Sequence, residues 1–515
     1  MEFRRCLAVL VLAVFVLTAA AWSRGAEYDE QYTLFLTAGQ PRPAWPDGVF
    51  PTSLVRETQR GSAGWASIAA DLRRTDVHPP LYFWLVATWR DIAGDGLFAA
   101  RMLSVGFTLG ALAMTGAIAR RLGMSPALAM LLTLGCHGFT YTGSIARGFA
   151  LAQLLTLAGA ACLQTARGPG RAFTGGVLLG MATLSNSLAV FAAGACLIIP
   201  ITRAIGSDPH RHGPDTPVND DEGACVTSII RAVDISPLPP RPDGGTTARA
   251  FPAALLGFAL SIPLDAWFFL AQRGSRDGQF PPFEPLDAVG RLARFSAANV
   301  FGGLPLYVPE GMRTAVSFGL AAVCLGLIGL LIRRWHRVPP FLVLAALAPP
   351  LGLLALGFVF NNTPIELRYL AFAAPFAAML LAGLPRPASA LVLALQTLAV
   401  AGLLLRPETM QPARAIAAAL PGDTVVLLPR GNDGVGIVGA FGIEAPPDTR
   451  VILVPATGPE DGLAGLGRVS LALMAQDDAS RAAIAAAQRV LTGPGWRRIA
   501  EHAGLITYER VGRAE

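Results

Sequence analysis

Two carboxylates and a scatter of arginines interrupt a chain that is otherwise strongly apolar. Asp29 and Glu30 follow Tyr28 a few residues after the first long apolar run, and His78 opens a His-Pro-Pro-Leu-Tyr segment that ends at Tyr82. Further along stand Arg101, Arg147 and a Glu366, Arg368, Tyr369 cluster. A carboxylate close to hydrocarbon must find water, a cation or a proton, so an acidic pair there is a candidate catalytic site. Arginine carries a planar fork of donors that holds a phosphate by paired hydrogen bonds. Taken singly, each of these residues reads equally as a solvated helix-end charge or as an arginine whose stem lies along apolar surface. Acids and arginines brought together on one face favour a site.

The elements that must bring them together are membrane helices. Of 515 residues 53% are hydrophobic and 15% charged, against about a quarter charged in soluble proteins. Mean hydropathy is +0.49. The net charge of +6 rests on arginine, since the chain has no lysine, and no basic stripe interleaved with aromatic residues marks a nucleic-acid surface. The six cysteines (Cys6, Cys136, Cys162, Cys196, Cys225, Cys324) form no CxxC pair and read as small packing residues. The histidines are dispersed, without HExxH or paired Cys/His spacing.

Arg4 and Arg5 precede an apolar run from Leu7 to Trp22, which reads as an uncleaved anchor with a cytoplasmic N-terminus. Residues 23–98 read as a first periplasmic loop with juxtamembrane helices, one of them amphipathic from Trp65 to Leu72. Pro79 to Ile92 is short for a span of about 20 residues and carries Tyr82, Trp84, Trp89, Arg90 and Asp91, so it is assigned to the interface. Spans follow near Ala99 to Ala119, Pro126 to Thr142, Phe149 to Thr165, Phe173 to Ser185, Leu188 to Ile201, Phe251 to Ala271, Thr314 to Ile332, Pro340 to Val359, Tyr369 to Leu384 and Ala388 to Leu405. With the first, that makes about eleven transmembrane helices in residues 1–405. The arginine-bearing turns at Arg120, Arg167, Arg333 and Arg386 then fall inside. Residues 204–250 read as a flexible cytoplasmic loop, and 272–312 as a second periplasmic loop.

The fold class is therefore mainly α and polytopic, with a small C-terminal α/β domain at residues 406–515. Strand-like runs at Thr424 to Leu428, Arg450 to Val454 and Ile506 to Glu509 alternate there with helix-like runs at Ala413 to Leu420 and Ser480 to Leu491. An odd number of spans places that domain in the periplasm. Gly431, Gly434, Gly436 and Gly439 lack dinucleotide-binding and Walker spacing and read as loop.

In these residues the chain resembles the membrane glycosyltransferases of the C-type fold, the superfamily of protein O-mannosyltransferases and aminoarabinose transferases. The likeness lies in Tyr28-Asp29-Glu30 after the first span, His78 to Tyr82 on a juxtamembrane helix, Ala100-Arg101-Met102-Leu103-Ser104, Ala146-Arg147 with Phe149, and Arg368-Tyr369-Leu370 running into Pro375. It implies transfer of a sugar from a polyprenyl-phosphate donor to a lipid, glycan or protein acceptor on the outer face of a bacterial inner membrane, with inversion. Such a reaction needs a carboxylate for the acceptor's proton and cations for the departing phosphate. The resemblance makes Asp29 and Glu30 the catalytic pair, with Asp29 as base. Tyr28, His78, Tyr82, Arg101, Arg147, Glu366, Arg368 and Tyr369 become substrate-binding. No obligatory cofactor follows, although Asp29, Glu30 and His78 offer ligands to a divalent cation. The chain departs from its relatives in having Phe149 where many carry tyrosine, and no basic residue near Asn186.

Two readings compete. A lipid-linked sugar transporter needs ionisable groups near mid-membrane, and Asp265 is the main candidate in the spans. A membrane-anchored assembly protein would leave the acidic pair unexplained.

Overall fold

The computed structural model describes residues 1–75, 78–205, 244–271, 280–406, 412–432, 434–459 and 462–511. Most of the expected cytoplasmic loop (206–243), the start of the second periplasmic loop (272–279) and the link at 407–411 lie outside the described residues.

Among the described residues ten helices make up the first part of the chain: α1 (Glu2–Ser23), α2 (Tyr28–Ala38), α3 (Thr52–Glu57), α4 (Trp65–Thr75), α5 (Leu81–Ala93), α6 (Leu97–Arg121), α7 (Pro126–Leu134), α8 (His137–Gly143), α9 (Phe149–Gln164) and α10 (Pro169–Ser185). Among the described residues six helices are long and apolar enough to cross a bilayer: Glu2–Ser23, Leu97–Arg121, Arg249–Ala271, Glu310–Arg333, Pro340–Phe360 and Arg386–Leu405. They bury one face and leave the other apolar and exposed, as Val11, Phe15 and Trp22 are on α1. That is the pattern of a multi-pass membrane protein, in which lipid takes the place of water. The other expected spans fall on shorter or broken helices. Pro126 to Thr142 is interrupted at Gly135 and Cys136, and Tyr369 to Leu384 begins as a 3-10 turn (Leu367–Phe372) before Ala374–Ala382. α5, at 13 residues, is too short to span, and it buries Tyr82, Phe83, Val86, Ala87 and Arg90.

Among the described residues the sheet has six strands, β1 (Phe50–Pro51), β2 (Val425–Pro429), β3 (Arg450–Val454), β4 (Arg468–Ala472), β5 (Trp496–His502) and β6 (Leu505–Arg510), in the order β1-β3-β2-β4-β6-β5. β2 pairs parallel with β3 and β4, and the remaining pairs are antiparallel. Val426 and Leu428 point into one core with Ile437 and Phe441, while Val425 and Leu427 point into another with Ala483, Ala487 and Leu491. Coverage on both faces explains why β2 is an unbroken apolar run.

Two expectations need correction. β1 comes from the first loop, so the sheet is not built from residues 406–515 alone. The glycine-rich stretch is only half loop. Gly431 and Gly434 hold left-handed φ angles of 68° and 67°, which glycine adopts without strain, but Gly436 opens a helix, Gly436–Glu444.

Candidate active site

α2 begins where the sequence provides a reciprocal cap. Glu27 is the extended N-cap residue, Glu30 is the third helical residue, and the Glu27 backbone N–H donates to Glu30 Oε2 at 3.1 Å. Carboxylates in a first turn also suit the helix dipole. Asp29 and Glu30 are therefore fixed on adjacent positions of one turn and face different surroundings.

Glu30 faces inward. Arg101, from α6, reaches it with Nε at 2.8 Å and Nη2 at 2.5 Å, and the Ala146 N–H donates to Oε1 at 2.8 Å. The same guanidinium donates at 2.8 Å to each of the carbonyls of Ala21, Arg24 and Gly25, which the end of α1 leaves without helical partners. Neither side chain meets the mouth of the site: Glu30 is wholly buried and Arg101 is 2% exposed. Arg101 is placed to join α1, α2 and α6 rather than to touch a substrate.

A second buried pair lies beside the first. Arg24 is paired with Glu27, its guanidinium 4.3 Å from the centre of the Tyr141 ring, and the Tyr141 hydroxyl donates to Glu27 Oε2 at 2.5 Å. Burial pushes the Glu27 carboxyl up, but the Arg24 charge and the Tyr141 hydroxyl outweigh it and hold the group below the ordinary glutamate value of 4.5. A carboxyl lowered on folding adds stability above its unfolded value and loses it as pH falls through the folded one. Glu27→Gln is therefore expected to lower the melting temperature at neutral pH, and the gap from the native chain should narrow on acidification below 4.5. A melting series against pH on both proteins checks this; a gap constant with pH would contradict it.

Asp29 faces outward and meets a different set. Arg368 Nη1 pairs with Asp29 Oδ2, and Arg368 Nε lies 2.6 Å from Glu366 Oε2. Arg147 Nη1 donates to the Asp29 carbonyl at 3.2 Å, and its Nη2 lies 3.1 Å and 3.2 Å from the two ring nitrogens of His78. The Arg368 guanidinium stands 5.4 Å from the Tyr369 ring, which stacks in turn on Phe149 at 6.4 Å. Asp29 keeps 21% of its side-chain surface and Glu366 28%, so these are the acids an incoming molecule can reach.

The structure thus brings together Asp29, His78, Arg147, Glu366 and Arg368, with Tyr369 packed beneath. Glu30, Tyr82 and Arg101 lie inside. Tyr82 is fully buried, its hydroxyl 2.8 Å from Ser104 Oγ, and burial raises its pKa further above the ordinary tyrosine value. Tyr28 lies beside the mouth, its hydroxyl 3.4 Å from that of Tyr32 and its ring packed on Gly436. Arg24, Glu27 and Tyr141 escaped the sequence reading. Arg24 and Glu27 stand at the extended break between α1 and α2, where no helical spacing links them, and nothing in the sequence marks Tyr141.

Among the described residues no group of three or more His, Cys, Asp or Glu side chains is assembled to hold a metal ion. Asp29, Glu30 and His78, which the sequence offers as ligands to an optional divalent cation, are not gathered: Glu30 turns to Arg101 and His78 to Arg147. These residues do not fit a cation as they stand, and no step below uses one.

No family model and no curated protein matches the chain. Among solved structures it is similar to ArnT from Cupriavidus metallidurans in two crystal structures. The structure bound to undecaprenyl phosphate is 12% identical with a TM-score of 0.43, covering 98% of each chain. The apo structure is 12% identical with a TM-score of 0.46, covering 98% of this chain and 97% of that one. The Archaeoglobus fulgidus oligosaccharyltransferase, in complex with Zn and sulfate, is 12% identical with a TM-score of 0.32, covering 90% of this chain and 68% of that one.

Proposed function

We propose that this chain is a membrane glycosyltransferase that moves a sugar from a polyprenyl-phosphate-linked donor to an acceptor at the outer face of a bacterial inner membrane. The observation that carries the reading is a reachable acid, Asp29, whose carboxylate pairs with Arg368 and whose backbone carbonyl accepts from Arg147. A base beside two cations is what transfer away from a phosphate requires. Asp29 is the base. Arg368 and Arg147 receive the lipid phosphate, His78 orients Arg147, and Glu366 orients Arg368. The N-terminus is cytoplasmic, and the sheet lies on the periplasmic side with the site.

In this reading the Asp29–Arg368 pair is the resting state. A donor phosphate takes over Arg368, and the freed carboxylate accepts the proton of the acceptor hydroxyl. The acceptor oxygen bonds to the anomeric carbon from the face opposite the phosphate, the bond from that carbon to the phosphate oxygen breaks, and polyprenyl phosphate leaves with the electron pair. The configuration inverts. Glu30 and Arg101 take no part in bond making; they hold α2.

Release of polyprenyl phosphate from a panel of polyprenyl-phosphate sugars, in proteoliposomes with extracted envelope lipids and glycans as acceptors, tests the reading. Consumption of no donor beyond protein-free vesicles would overturn it. Arg368→Ala removes a charge-assisted contact worth about 1.5–3 kcal/mol. It is expected to raise the donor KM by about tenfold to a hundredfold, with a melting temperature close to that of the native chain because Arg368 lies at the mouth. A donor titration with matched melting curves checks both halves.

A further inference from the structure

The last hundred residues are fastened to the turn that carries Asp29. Arg414 Nη1 donates to the carbonyl of Ser23 at 2.7 Å and to that of Trp22 at 3.2 Å. Its Nε and Nη2 pair with Glu444 at 2.9 Å and 3.3 Å, and Glu444 Oε1 accepts the Ala26 N–H at 2.7 Å. The open carbonyls at the end of α1 are therefore shared between two arginines: Arg101 takes Ala21, Arg24 and Gly25, and Arg414 takes Trp22 and Ser23. One arginine comes from the membrane helices, the other from the sheet domain.

The helix that supplies Glu444 also lies directly on α2. Gly436, Gly439 and Gly442 recur every three residues and share one face. A Cβ at Gly436 would run into the Tyr28 ring, one at Gly439 would come within 2.8 Å of Gln31 Oε1, and one at Gly442 within 2.6 Å of Val55 Cγ1. Arg56 of α3 caps this helix, donating at 2.9 Å to the carbonyls of Gly442 and Ile443. Trp45 Nε1 donates to the Gly434 carbonyl at 2.6 Å. Only glycine permits so close an approach, and the approach sets the height of α2.

We propose that the C-terminal domain is a working part of the site, with Arg414 and Glu444 as positioning residues that fix the α1–α2 junction and thereby hold the Asp29 carboxylate against Arg368. The proposal rests on Asp29 being the base. Displacing a reacting group by about 1 Å can cost about a hundredfold in rate. When α2 shifts, Arg368 keeps Glu366 and Arg147 keeps His78, so loosening the junction lowers kcat and leaves the donor KM unchanged.

The test uses the full chain in lipid nanodiscs, with Glu444→Gln, Gly439→Leu, Arg414→Ala and Arg414→Lys, and with Arg497→Ala on the exposed β5 as the control. Transfer kinetics are measured beside hydrogen–deuterium exchange over residues 24–34. The expected result is a kcat lowered by about tenfold to a hundredfold in the first three, with an unchanged donor KM and faster exchange in that segment. Arg414→Lys should keep more of the rate than Arg414→Ala, and the control should match the native chain. Faster exchange without loss of rate, or a rise in donor KM in place of a fall in kcat, overturns the proposal. Unchanged exchange overturns it whatever the rates. A native chain without transfer, or an Asp29→Asn chain with normal transfer, overturns the base reading instead, and the exchange data still decide whether the domain holds the junction.

Discussion

Replacing Asp29 by asparagine is expected to lower sugar transfer by about 10²–10⁴-fold, the range that a positioned general base supplies, with the chain still folded. The amide keeps the shape of the side chain and can still accept a hydrogen bond, but it cannot take a proton. Folding is spared because Asp29 sits at the mouth, partly exposed, and the capping bonds of α2 belong to Glu27 and Glu30. Arg368 loses one carboxylate partner and keeps Glu366 at 2.6 Å. Rates of polyprenyl-phosphate release from native and mutant proteoliposomes, with melting temperatures alongside, decide the matter. Near-native transfer by the mutant would remove Asp29 from the mechanism.

Arg101→Ala is expected to do the opposite kind of damage, a loss of folded protein rather than of chemistry. Removing one partner of a buried ion pair costs about 3–5 kcal/mol, since the other charge stays buried and unpaired, and a domain has only about 5–15 kcal/mol in all. Here three backbone carbonyls lose their donor as well. Lysine does not restore them, because one ammonium cannot reproduce the planar fork that serves five acceptors on two elements. Were Arg101 a substrate ligand, the alanine chain would fold normally and bind donor weakly. Yield of monodisperse protein and its melting temperature separate the two outcomes, and a stable Arg101→Ala chain would refute the structural role.

The contrast between Asp29 and Glu30 marks how far the sequence could be read. The apolar runs, the short α5 and strands near 425, 450 and 506 follow from hydropathy and periodicity, which are local properties. The acidic pair is visible for the same reason. What divides its two members is which one meets Arg101, 71 residues away, and no local pattern carries that. The helix at Gly436–Glu444 was hidden by its three glycines, which weaken helix formation in an isolated segment and make sense only against Tyr28, Gln31 and Val55. β4 and β5 lacked distinctive runs, and β1, at two residues, has no signature of its own. Resemblance to known enzymes indicated Asp29, Glu30, His78, Arg147 and Arg368 together; in the structure Asp29, His78, Arg147 and Arg368 lie side by side, and Glu30 turns inward to Arg101.

β1 also bears on how the molecule is made. Phe50 and Pro51 pair with Val451 and Arg450, so the edge of the sheet closes only when about four hundred further residues have left the ribosome. By then the intervening helices have entered the membrane, while the loop that follows Asp29 waits without its partner strand. A chain truncated before β3 would leave that loop unpaired, so quality control that acts on unpaired segments would also be a check that the region around Asp29 is complete.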